Sequence, residues 1–376
     1  MLATVATQAS IVVLAPLVVE IGRSFDASVS AIGAARSVLA GTAVAVSLAI
    51  GPLIDRVGVR PLIVWGAALA AAGAGFTAAA PSIPLFYAAH AVTGAGVACL
   101  LSAGFAGVAA FFPRRETAWA MGYVVGAQSI AWIAGNPVIG LLADAGSWRL
   151  AYAVPAVIAG LALVAGLTAP RETPAAEHEP GGVASGLTAV YRDPSARRWA
   201  VAELAAYSAW TAELTYVGAF YVQNYDLSET TVGLLLATGS LVFLVTSLNT
   251  ARLMSRYPRR LLVALAGVVM GVLLIPMLRY TPAVVFTLGI FCVTALFAAI
   301  RTTGSSTLAL AQLPERPGAM MGARTASAQL GYMVGAVAGG IVLALAGFGA
   351  LGWVLFAGMA FSALLFSRVS DPRTAT

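Results

Sequence analysis

The stretch GPLIDRVGVRP, Gly51–Pro61, places an acid, two arginines and paired glycines and prolines between two largely apolar runs, Val29 to Leu53 and Leu62 to Ala80. Each run has about the 20 residues that a helix needs to cross a hydrocarbon core of roughly 30 Å. The charged stretch therefore reads as a polar connection between two membrane spans, and the rest of the chain agrees. Of 376 residues, 60% are apolar and only 10% charged, with a mean hydropathy of +0.90. That is far outside the usual mix of a soluble domain. The chain reads as an all-α, multi-pass membrane protein.

Breaking the sequence at polar, Pro and Gly signals predicts twelve spans: Leu2 to Ile21, Val29 to Leu53, Leu62 to Ala80, Ile83 to Phe112, Ala118 to Leu142, Leu150 to Ala169, Trp199 to Val222, Val232 to Leu253, Leu261 to Leu278, Ala283 to Leu310, Ala319 to Leu345 and Ala350 to Phe366. The N-terminus is apolar from the start and lacks the basic n-region of a signal peptide, so it is expected to be the first span. All 21 basic residues are arginine. Most fall in loops that share a side with the termini, which predicts that both termini are cytoplasmic. The formal charge of +6 thus reports topology, and no nucleic-acid partner is expected. Cys99 and Cys292 lie in predicted spans, where small apolar packing is their expected role, and neither a disulfide nor a metal site is anticipated.

The longest polar segment, Arg171 to Arg198, has the Pro, Gly and Glu content of a linker. It separates a six-helix bundle over residues 1–170 from a second over 199–376. The halves echo each other: Arg56 and Arg60 recur as Arg256 and Arg260, and FFPRRETAWAMG (Phe111–Gly122) resembles QLPERPGAMMG (Gln312–Gly322). Such duplication is a common transporter architecture, with the site at the repeat interface.

Gly51, Asp55, Arg56, Gly58 and Arg60 resemble the G-x-x-x-D-R-x-G-x-R loop of the major facilitator superfamily, between its second and third helices. AHAVTGAG (Ala89–Gly96) is similar to its fourth-helix signature, AGNPVIG (Ala134–Gly140) to the fifth-helix Gly-Pro antiporter signature, and GSWRLAY (Gly146–Tyr152) to the opening of helix six. The resemblance implies two six-helix bundles that rock around a central site, with no enzymatic chemistry and no cofactor. It also implies that Asp55 latches onto the N-terminus of the eleventh helix, near Gly318, where the helix dipole favours an anion. Ser255 replaces that acid in the second half, so the latch is expected to be one-sided. His90 stands where the family usually carries Arg, exchanging a permanent charge for a group that titrates near neutral pH. Gly135 and Pro137, separated by Asn136, are expected to kink and thin the fifth helix.

Ionisable residues inside spans are functional candidates by default. Glu213, with Trp210, Tyr216 and Phe220 on its face at helical spacing, suits a proton carrier or a cation pocket; an aromatic belt at the membrane surface is the plainer reading. His90 suits either proton coupling or a structural hydrogen bond. Arg36 is read as an anchor that snorkels outward or a partner of Glu20. Arg301, in AAIRTTGSS, either pairs with Glu203 or binds an anion, and pairing is favoured because an unpaired buried guanidinium is expensive. By family analogy helices one, four, seven and ten line the cavity, which adds Gln8, Trp210, Tyr216 and Arg301 as substrate contacts. The expected function is proton-coupled export of a small amphipathic or cationic compound from the cytoplasm by a monomer in the cell inner membrane. Import of a small organic anion, or a non-transporting membrane sensor, are the rival readings.

Overall fold

In the computed structural model, residues 1–111, 124, 127–169, 183–314 and 317–371 are described, and the regular elements among them are helices. The chain divides into two compact units, one comprising Met1–Pro180 with Asp226–Ala237 and the other Gly181–Tyr225 with Thr238–Thr376. Among the described residues, eight helices are long and apolar enough to cross a membrane, or nine if one bent pair is a single span.

The first unit contains α1 (Leu2–Val12), α2 (Leu14–Phe25), α3 (Val29–Val57), α4 (Val59–Ala79), α5 (Ile83–Phe111), α6 (Gly135–Ala145), α7 (Trp148–Ala151) and α8 (Ala153–Thr168). The expected first span is thus two helices, bent by 42° at Val13. Pro16 is the cause: it has no N–H to donate to the carbonyl of Val12 and its ring crowds that turn. The Arg36 guanidinium sits beside the bend and donates Nη2–H to the Ile11 carbonyl at 3.2 Å. Arg36 is 3% exposed, so it is an interior residue and does not snorkel outward. Gly51 to Val57 continue α3 rather than turning, and the reversal into α4 is made at Gly58, whose φ of 82° favours glycine. Arg60 then donates Nε–H and Nη2–H to the carbonyls of Gly166 and Leu167, at 3.1 and 2.6 Å, in the last turn of α8. A cation is favourable at that helix end.

The second unit contains α9 (Val183–Arg192), α10 (Pro194–Tyr225), α11 (Glu229–Arg256), α12 (Arg259–Arg279), α13 (Val284–Leu310) and α14 (Pro317–Phe366), with the opening turns of α11 packed in the first unit. α9 occupies part of the stretch whose composition suggests a linker. Val190 anchors it in a core with Trp199, Leu308, Met320 and Phe366. α10 begins five residues earlier than the apolar pattern suggests, because Asp193 accepts the amides of Ser195 and Ala196 at 2.9 and 2.7 Å and Pro194 occupies the first helical position. α14 runs for 50 residues, about 75 Å at 1.5 Å per residue. It is two spans meeting at Gly347, where φ is 72° and ψ −175°.

Helices α10 and α14 approach closely along Gly331, Gly335 and Gly339. A Cβ on Gly335 would lie 2.7 Å from Thr211 Oγ1, and one on Gly339 would lie 3.0 Å from Ala212 Cβ. With no side chain in the way, hydroxyls of α10 reach backbone carbonyls of α14: Tyr216 donates to Ala336 O at 2.7 Å, and Thr211 shares its hydrogen between Tyr207 O of its own helix at 2.7 Å and Gly331 O at 3.0 Å. Small residues that admit close backbones are the usual basis of helix association in lipid.

Two stretches 200 residues apart in sequence, both packed in the first unit from their Asp onward, repeat a local frame. SFDASVSAIG (Ser24–Gly33) and NYDLSETTVG (Asn224–Gly233) each place an Asp in the left-handed region, Asp26 and Asp226, both with φ of 52°. Each is followed by a serine, Ser28 or Ser228, whose Oγ accepts the amide three residues on, at 3.1 and 3.3 Å. Helices α3 and α11 therefore start on the same cap.

Gly335→Ala should lower the thermal midpoint of the detergent-solubilised protein, by about 1 to 3 kcal/mol of overpacking. Gly347→Ala, which meets nothing within 4 Å, should cost about 1 to 3 kcal/mol through the backbone alone, because φ of 72° with ψ of −175° is a region that essentially only glycine occupies. Gly322→Ala, helical with open space around it, should be neutral or stabilising by up to about 1 kcal/mol.

Candidate functional site

In the second unit, α10 carries Glu203, Tyr207, Trp210 and Glu213 at spacings of three or four residues, which aligns them along one face. Glu203 and Arg301, both 0% exposed, are brought together: Arg301 Nη1 donates to Glu203 Oε2 at 2.9 Å. The same oxygen accepts Ser305 Oγ–H at 2.8 Å, and Trp199 Nε1–H donates to both the hydroxyl and the carbonyl of Ser305 at 3.1 Å. Arg301 also lies over the rings of Tyr207 and Trp210, at 5.1 and 5.9 Å from the centroids. Arg324 of α14 donates Nη2–H to the Tyr207 hydroxyl at 3.1 Å.

Trp199, Ser305, Tyr207 and Arg324 were not evident as part of this cluster from sequence. α14 starts at Pro317, which puts Arg324 about two turns inside the helix, within the span expected from Ala319. Trp210 is drawn towards Arg301 and stacks on Phe243, with centroids 5.7 Å apart and an interplanar angle of 14°. Tyr216 is committed to the α14 backbone, and Phe220 packs edge-on against Tyr221, Tyr225 and Phe348.

Glu213 is 2% exposed, and neither carboxyl oxygen has a hydrogen-bond partner among the described residues. An ionised carboxylate there would be a lone charge in a low-dielectric interior, which is costly. The state such a site accommodates is the neutral acid.

In the first unit, His90 sits on α5 in an aromatic cluster, 4.4 Å from the Phe86 ring. Its Nδ1 is 2.9 Å from the Phe86 carbonyl and its Nε2 is 3.5 Å from the Tyr152 hydroxyl. A carbonyl only accepts, so Nδ1 carries the hydrogen and Nε2 faces the hydroxyl. His90, Tyr152, Ser10 and Thr93 line a small cavity beside the bend at Val13, with room for about one water molecule. Gln8 is fully engaged: its amide donates to Gln128 Oε1 at 3.0 Å and its Oε1 accepts Trp132 Nε1–H at 2.9 Å. Glu20 accepts the Trp148 amide at 2.8 Å.

Among the expected gate residues, Gly135 and Pro137 open α6, which begins after a turn at Ala134. The carbonyl of Asn136 and the Cα of Pro137 abut Gly233, and Gly140 abuts Glu229. Asp144 then accepts the amides of Glu229 and Thr230 at 3.2 and 3.0 Å, capping the start of α11. The side chains of Gly51, Asp55 and Arg56 lie outside the described residues. Among the described residues no cluster of three His, Cys, Asp or Glu is placed to hold a metal ion, and Cys99 and Cys292 are free thiols.

The model of the Major Facilitator Superfamily matches residues 1–302 and 200–376. The chain belongs to the major facilitator superfamily. A solved structure, the crystal structure of a D-xylose-proton symporter, superposes with a TM-score of 0.78 over 98% of this chain and 95% of that one at 15% identity, a likeness of fold. The multidrug resistance protein MdtM of Escherichia coli K12 is 29% identical over 163 residues, 42% of this chain. Its counterpart in Salmonella typhimurium matches to the same extent. The match spans 38% of the length of those relatives. This superfamily chain is therefore a multi-pass membrane protein.

Glu203→Ala should destabilise the protein by about 3 to 5 kcal/mol, because it strands the Arg301 guanidinium in the interior. The double variant Glu203→Leu with Arg301→Met should return most of that loss. Chemical denaturation in mixed micelles checks both; a double variant as unstable as Glu203→Ala would show that the pair itself is not what is lost.

Proposed function

We propose that this protein is a proton-driven exporter of small amphipathic compounds that works by alternating access. The observation that carries the reading is Glu213, a buried carboxyl whose two oxygens have no hydrogen-bond partner among the described residues. Such a group is stable as the neutral acid and must find water or a cation before it ionises, which is what a coupled proton carrier requires. Similarity to multidrug resistance proteins over 42% of the chain supports the outward direction. In this reading the termini face the cytoplasm, the protein works as a monomer in the inner membrane, and Asp55 with its neighbours Gly51, Arg56, Gly58 and Arg60 closes the cytoplasmic side. His90, hydrogen-bonded and stacked within its own unit, tunes the first unit and is secondary to Glu213.

Glu213→Gln mimics the protonated acid. In inverted vesicles it should abolish accumulation driven by a proton gradient while substrate counterflow persists, because exchange needs the conformational change but no proton release. His90→Ala should show a milder loss. Gradient-driven accumulation by Glu213→Gln at the wild-type rate from about pH 5 to about pH 8 would overturn the assignment.

A further inference from the structure

Tyr207 stands between two guanidinium groups. Arg301 lies over its ring, 5.1 Å from the centroid, and Arg324 donates to its hydroxyl at 3.1 Å. The carboxylate within reach of both is Glu203, which bonds Arg301 at 2.9 Å and acts on Arg324 through space. Glu213 is three turns further along α10 from Glu203, about 15 Å away. Among the described residues the cluster therefore holds two permanent cations against one anion. An excess cation there is expensive unless an anion joins it.

Hydrogen-bond accounting leads to the same place. The Tyr207 hydroxyl accepts from Arg324, and no described residue accepts its own hydrogen. The Nε–H groups of Arg301 and Arg324 are likewise buried without a partner among the described residues. Three donors of one polarity, two of them charged, are thus left unspent around a single ring. A planar oxyanion accepts such donors in a fork. Beside them Trp210 and Phe243, stacked and half-buried, offer a flat apolar surface.

The geometry points to an oxyanion subsite formed by Arg324, Tyr207 and Arg301, which receives the carboxylate or similar head of a substrate whose flat apolar body lies on Trp210 and Phe243. It deepens the transporter reading by naming the headgroup, and it selects the acidic class of amphipathic compound over the cationic one. Glu203 then acts as an internal competitor that holds Arg301 when the substrate is absent. The subsite does not depend on Glu213 carrying the proton.

The test is a headgroup series on one body, measured by equilibrium dialysis with the purified full-length chain in phosphatidylcholine nanodiscs. The probes are 1-naphthoate, the neutral 1-naphthamide and the cation 1-naphthylmethylammonium. Naphthoate should bind at least about tenfold tighter than the amide, and the ammonium weakest. Arg324→Gln should erase the preference for naphthoate and Arg324→Lys, which keeps the charge without the fork, should retain part of it. Glu203→Gln should tighten naphthoate binding by releasing Arg301. Equal binding of naphthoate and the amide by the wild-type protein, or tighter binding of the ammonium, overturns the subsite whether or not any variant folds; so does an undiminished preference in Arg324→Gln. Glu213→Gln should keep the naphthoate preference, so failure of the proton role and failure of the subsite give different results.

Discussion

The approach of α10 to the glycine stripe of α14 is the constraint on which the second unit depends. Without Cβ atoms at Gly331, Gly335 and Gly339, α10 comes near enough for Thr211 and Tyr216 to donate to α14 carbonyls. That contact fixes Tyr207, which packs on Gly331, and through it the positions of Arg324 and Arg301. In hydrocarbon there is no water to satisfy a polar group left behind. A helix shifted by a fraction of a turn would strand the Tyr216 hydroxyl, a carboxylate and two guanidiniums together. The geometry is therefore over-determined by groups that each need the same register.

The two units differ in what they bury. Helices α3 and α11 start on the same Asp-x-Ser cap, at Asp26 and Asp226, and both caps pack in the first unit. The interior of the first unit is satisfied mostly by neutral groups: Gln8 is closed by Gln128 and Trp132, and His90 by Phe86 and Tyr152. Its buried guanidinium, Arg36, attends to a carbonyl at the Pro16 bend. The second unit holds the Glu203 and Arg301 pair, the additional cation Arg324 and the isolated acid Glu213. Charge is thus segregated, and the proton and headgroup roles proposed for this protein both fall on α10, α13 and α14.

The all-helical membrane architecture and the family were legible because hydrophobic length and the Gly51–Arg60 motif are local signals, while the expected twelve spans compare with eight or nine among the described residues. Glu203 with Arg301 was also within reach, since each would otherwise be a lone charge at similar depth. What escaped depended on where helices begin and bend. The Asp193 cap and Pro194 start α10 early, and composition hid α9, which folds because Val190 finds a core. Arg324 lies within the span expected from Ala319, but nothing local in the sequence announces that its guanidinium reaches Tyr207 on α10. Trp210 was read as part of the frame of Glu213, but a side chain on a helical face chooses among neighbours on other helices, and here Arg301 and Phe243 claim it.

The account turns on one carboxyl that is neutral when buried. Infrared difference spectroscopy of the wild-type protein against Glu213→Gln in lipid reads this directly, as a carboxylic acid C=O stretch present at neutral pH. The account predicts such a band from a low-polarity site in the wild-type protein and its loss in Glu213→Gln. A Glu213→Gln spectrum that retains the whole set of wild-type carboxyl bands would contradict it.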